Sequence, residues 1–162
     1  MQTFIRLIDE ANKSFQLADH LAYVTYPIVN DNKMFILIVE NLFKSASKAM
    51  EAIIYYDRLY KRIHPVNNDF GSQLQVFRDK CMPRYGIDRS NFLLLQDLKI
   101  LVDERKKAPM EFSRREHYVI ASHDFQLKTI NLNKVKNYLH LTKLFLDKVN
   151  IIKNRITGKI SQ

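Results

Sequence analysis

Residues 32–64 read NKMFILIVENLFKSASKAMEAIIYYDRLYKRIH, running from Asn32 to His64 with no glycine or proline before Pro65. Wound at about 100° per residue, Glu40, Lys44, Ser47, Lys48, Glu51, Arg58 and Arg62 fall within one arc. Most of the remaining circumference is apolar, including Phe35, Val39, Leu42, Phe43, Ala49, Met50, Ile53, Tyr56, Tyr60 and Ile63. So wide an apolar face predicts a helix that touches two or three neighbours. Its small run Ser45, Ala46, Ala49 and Ala52 lets one of them approach closely. Asp31 is the expected N-cap, and a helix of this length at about 1.5 Å per residue sets a bundle near 45 Å long.

Other elements extend outward from this rod. Phe4, Leu7, Ile8, Ala11, Phe15, Ala18 and Ala22 recur at three- and four-residue steps, predicting a first helix over about 2–26 with Pro27 as its stop. Asp69 is placed to cap a short third helix from Phe70 to about Cys81, with Leu74 and Phe77 inward. Pro83 and Gly86 mark a turn, and Ser90 is the expected cap of a fourth helix ending in Arg105-Lys-Lys107. These three cations suit the negative end of the helix dipole. The helical period then breaks. His117–Ser122 and Gln126–Ile130 are rich in β-branched and aromatic residues and flank Ser122-His-Asp-Phe125, predicting a hairpin over about 117–130. Asn131 or Asn133 starts a last helix through about Arg155, whose apolar side holds Val135, Tyr138, Leu139, Phe145, Leu146, Val149 and Ile152. Leu141, Leu144 and Ile151 fall on another side and form a candidate interface for a second copy or a partner protein. The expected fold is mainly α, a single domain over 1–162 built as an antiparallel bundle of four to five helices with a small β-hairpin before the C-terminal helix.

Composition narrows the function classes. The 162 residues are 46% hydrophobic and 27% charged, with three glycines, four prolines and one cysteine, which suits a globular chain without an internal disulfide. The N-terminus carries no leader pattern and the longest apolar run has six residues, so the expectation is a cytoplasmic protein with no membrane span. Neither GxxxxGK[ST] nor GxGxxG occurs, and neither HExxH nor a Glu three residues before a His, so no nucleotide or metal cofactor is expected. The net charge of +9 is graded: zero over residues 1–50, +3 over 51–110 and +6 over 111–162. Such an asymmetry points to a polyanionic partner.

The segment from Arg105 to Tyr118 concentrates that signal. Arg105, Lys106, Lys107, Arg114 and Arg115 alternate with Phe112, His117 and Tyr118 where helix gives way to strand. Cations hold a phosphate backbone and aromatic rings stack on unpaired bases, making these residues and His117 the candidate nucleic-acid contacts. Arg58 and His64 have the spacing of an Arg/His pair for metal-independent RNA cleavage, with imidazole moving the proton and guanidinium stabilising phosphorane-like charge.

Ala18-Asp-His-Leu-Ala22 and Glu40-Asn-Leu-Phe-Lys-Ser-Ala-Ser-Lys-Ala-Met50, with the later helix pair, resemble the HEPN superfamily of small helical bundles over about 4–64 and 90–155. Many members are ribonucleases with an R-x4-6-H motif, and others bind or dimerise without it. Here the fourth helix ends Leu101-Val-Asp-Glu-Arg-Lys-Lys107 with no His at that distance, and Arg58 is followed by Leu59. The resemblance therefore implies a non-catalytic, dimeric module binding RNA or another polyanion, with a protein-interaction scaffold and a metal-independent ribonuclease as alternatives.

Overall fold

The computed structural model describes residues 1–160. Its elements are α1 (Gln2–His20), α2 (Tyr26–Val29), α3 (Met34–Leu59), α4 (Phe70–Val76), α5 (Met82–Tyr85), α6 (Arg89–Lys107), strands β1 (Met110–Arg114), β2 (His117–Ala121) and β3 (Leu127–Asn131), and α7 (Leu132–Ile160). The chain is mainly helical, with a small antiparallel sheet before the last helix.

Helix α3 is the spine, packing on α1 most extensively and also on α6 and α7. The small positions at the α1 contact explain the close approach: Ser45, Ala46 and Ala49 are fully buried, and the Ser45 hydroxyl donates to the Ala11 carbonyl at 2.7 Å. Both ends of α3 fall inside the predicted span. The expected N-cap is corrected: Asp31 accepts from the Lys33 amide at 3.0 Å in a turn before the helix, Lys33 occupies the cap position and Met34 begins the helix. At the other end Lys61 takes a left-handed φ of 55°, and the Arg62 amide reaches back to the Asp57 carbonyl at 2.8 Å. That closing turn usually uses glycine, so a lysine there left no stop signal in the sequence.

Neither Pro27 nor Pro83 stops its helix. Each follows a π-helical turn, Leu21–Thr25 before Pro27 and Phe77–Cys81 before Pro83, at the same offset. A proline ring conflicts with the carbonyl four residues earlier, and widening the helix around that carbonyl (Tyr23 or Asp79) relieves the conflict. The first long helix thus runs on to Val29, where Asn30 closes it at φ 54°, and the third to Tyr85, where Gly86 does so at φ 62°. Asp69 caps α4 through the Ser72 amide at 2.9 Å, as expected. The start of α6 is corrected: Asp88 occupies the N-cap position and Ser90 lies inside the first turn. Asn131 caps α7 through the Lys134 amide at 2.8 Å.

The predicted hairpin is β2 and β3, and the sequence reading missed a third strand, β1. Met110 pairs with Ala121 and Arg114 with His117, so a two-residue turn joins β1 to β2. The sheet rests on the helices through Tyr118, Ile120 and Ile130, which join the apolar core with Val135, Leu139, Phe145 and Val149 of α7. Among the described residues, no helix is long and apolar enough to cross a membrane.

Candidate nucleic-acid interface

The structure divides the predicted cationic segment into groups with different surroundings. Arg105 is tied down: its Nη1 donates to Glu40 at 2.8 Å and its Nε to Glu111 at 3.1 Å. Burial opposes charge on Glu111, but hydrogen bonds from Tyr118 and Arg105 outweigh it and hold that carboxyl below the usual glutamate range. Arg105 is therefore a clamp between α6, α3 and β1 rather than an open phosphate contact. Lys106 and Lys107 are exposed at the end of α6, and Arg114 and Arg115 are exposed at the far end of β1. A strand of five residues at about 3.3 Å per residue keeps these pairs well over 10 Å apart.

Strand alternation then sorts the interleaved residues onto opposite faces. Tyr118 points inward with Ile120 and Ile130; its phenol is pushed up to about 12 by burial and by Glu111 beside it. The register puts Met110, Phe112 and Arg114 of β1 on the opposite face, beside Ala121, Val119 and His117 of β2. Val119 at its centre is buried outside the main core cluster, while Phe112, Arg114 and His117 stay exposed around it. An aromatic ring, a guanidinium and an imidazole thus share one open sheet face.

At its His117 end that face meets a cavity of about 510 Å³ lined by Tyr26, Asn30, Asn32, Arg115, His117, Asn131 and Asn133, with Glu116 as its carboxylate. Asn32, only 8% exposed, organises the wall: it accepts from the Tyr26 hydroxyl at 3.1 Å and donates to the Arg115 carbonyl at 2.7 Å. This second bond secures the Arg115 backbone, whose left-handed φ of 53° makes the tight turn between strands. The first turn of α7 also faces the cavity and adds the positive end of its dipole. Nearby, Lys136 sits 5.5 Å from the ring centroid of Tyr23, a half-exposed residue of the first π turn. The amide-rich lining offers donors and acceptors to base edges, while Arg115 and His117 offer charge.

Arg58 and His64 are not held on one helix, because α3 ends at Leu59 and both side chains are exposed. The neighbouring Asp57, whose spacing predicts an i,i+4 pair with Lys61 on the helix surface, pairs with Arg84 and Arg62 instead and is the most enclosed charge among the described residues. It is fully buried, accepts from the Tyr85 hydroxyl at 2.6 Å and from Arg84, and lies 3.5 Å from Arg62. The one available signal was a carboxylate closing the apolar run Ile53-Ile-Tyr-Tyr56. Cys81 lies beside this group, its thiol pushed up to about 12 by burial and then by Asp57. A thiol so rarely ionised should resist a maleimide at pH 8 until denaturant is added; rapid labelling of the native protein would contradict that placement. Among the described residues, no cluster of three His, Cys, Asp or Glu is arranged to hold a metal ion.

On the predicted interface of α7, Leu144 and Ile151 are about half exposed, whereas Leu141 packs against the core and leaves that patch. Comparison with known protein families, curated proteins and solved structures finds no match.

Proposed function

We propose that this chain is a non-catalytic, HEPN-like helical module that binds single-stranded RNA across the outer face of its sheet. The observation that carries this reading is the sharing of that face by Phe112, Arg114 and His117, continued by Arg115 into an amide-lined cavity. Stacking on an aromatic ring works for any unpaired base, and cations fix the backbone that joins successive bases. Lys106 and Lys107 add positive field from the other end of β1, while Arg105 contributes little because two carboxylates already hold it.

Titration of a fluorescent uridine 15-mer tests the proposal. Affinity should fall steeply with salt, with a slope of about −0.7 per phosphate contacted, and should not need magnesium. Absent or salt-insensitive binding would overturn it.

Dimerisation belongs to the same proposal, through Leu144 and Ile151, which lie seven residues apart on one side of α7. The double change Leu144→Glu and Ile151→Glu is then expected to halve the mass measured by light scattering while leaving the helical circular-dichroism spectrum unchanged. A native mass already equal to one chain would remove the dimer.

A further inference from the structure

We propose that β1 accepts an extended, acidic segment of a partner protein as a fourth strand of the sheet. The order β1-β2-β3 leaves β1 at an edge. The two-residue turn makes Arg114 and His117 a pair that exchanges both backbone hydrogen bonds, so Met110 and Phe112 also bond to β2. The alternate residues, Glu111 and Ser113, therefore direct their N–H and C=O groups away from the sheet. Among the described residues, no loop or turn backbone meets those groups.

Natural edges are usually blunted by shortness, by charged side chains (lysine above all), a proline, a bulge, an inward-pointing charge or a covering element. The opposite edge, β3, carries Lys128 and lies on α3 and α7. From Met110 to Arg114 there is no lysine, proline or bulge, the strand's inward charge, Glu111, is neutralised by Arg105, and the other four side chains are exposed.

Charge selects the occupant. Lys106 and Lys107 precede the strand, Arg114 ends it, Arg115 follows it, and Lys33 lies near enough to help lower the Glu111 carboxyl. Arg105 holds Glu111 and Glu40, Lys99 pairs with Asp103 and Lys128 lies 3.8 Å from Glu104, which leaves Glu116 in the turn and Asp31 before α3 as nearby acids outside these ion pairs. An antiparallel second copy centred on Phe112 would bring its Arg114 opposite Met110 and close to Lys107, so like charges oppose self-pairing. An acidic segment meets cations at both ends, and half-exposed Met110 and Phe112 offer apolar contact to its alternate side chains.

The test is residue-resolved amide hydrogen exchange on the full chain with an excess of an octapeptide alternating glutamate and valine. Exchange at Glu111 and Ser113 should slow at least tenfold, and a lysine–valine octapeptide should have no such effect. Ser113→Pro removes an outward donor that the fold does not use; it should abolish peptide binding and leave uridine 15-mer affinity unchanged. Unchanged exchange at both amides would overturn the proposal, as would undiminished peptide binding by Ser113→Pro. Protection by the uridine 15-mer, or by raising protein concentration alone, would assign the edge to RNA or to a second copy and overturn it too.

Discussion

Asp57→Ala is expected to destabilise the protein by about 3 kcal/mol, and by no more than about 5, because it removes the shared acceptor of a buried charge network. Asp57 has no exposed surface and collects the Tyr85 hydroxyl and the Arg84 guanidinium, with Arg62 at 3.5 Å. These groups fasten the C-terminal end of α3 to the segment from Cys81 to Gly86, which no other ion pair spans among the described residues. Without the carboxylate, the Tyr85 hydroxyl and the buried part of Arg84 lose a charged partner at once. Arg84 keeps 34% of its side-chain surface and can turn toward water, which favours the lower end of the range. For a chain of 162 residues this corresponds to a drop in melting temperature of roughly 6–12 °C. By contrast, removing the half-exposed Lys143–Asp147 pair should cost under about 1 kcal/mol. Urea denaturation followed by circular dichroism compares the two directly. An Asp57→Ala loss no larger than that of the surface pair would show that the network contributes nothing.

Phe112→Ala is expected to weaken single-stranded RNA binding by about 5- to 150-fold, the range that one aromatic–base stack of about 1–3 kcal/mol supports. Phe112 is 37% exposed, so its ring is anchored at the base and open at the edge. Truncation should leave folding nearly intact, because the core side of the sheet is formed by Tyr118, Ile120 and Ile130. Tyr118→Ala is the informative contrast: it should lower stability, since Tyr118 is 3% exposed and joins the core with Ile120 and Ile130. Equal RNA affinity for the native chain and Phe112→Ala would place the nucleic acid elsewhere.

The features legible in the sequence were those written as periodicity. Phe4, Ile8 and Ala11 in α1, and Val135, Leu139 and Val149 in α7, are buried where their spacing put them. Asp69 and Asn131 cap as their chemistry requires. What escaped depends on partners distant in sequence. Pro27 and Pro83 read as stops because a single-turn rule cannot foresee a π turn opening around the clashing carbonyl. Strand β1 lies outside the expected hairpin because its exposed sequence, Met110-Glu-Phe-Ser-Arg114, lacks a run of buried β-branched residues; only pairing with β2 makes it a strand. The candidate site was half legible. Phe112, Arg114, Arg115 and His117 were marked by interleaved charge and aromaticity, yet which of them shared a face depended on that unseen register. Asn30, Asn32 and Asn133 arrive at the cavity from separate elements, and no local pattern announces them. Arg105 was counted with the open cations because its partner Glu40 lies 65 residues earlier.

That last distinction yields the most direct measurement. The slope of log affinity against log salt for the uridine 15-mer should become about 1.4 less steep when Arg114 and Arg115 are both replaced by alanine, at about 0.7 per lost phosphate contact. The same slope should be unchanged in Arg105→Gln, whose charge is already engaged by Glu40 and Glu111. A double variant with the native slope, or an Arg105→Gln slope reduced as much as that of the pair, would contradict RNA binding on the outer face of the sheet.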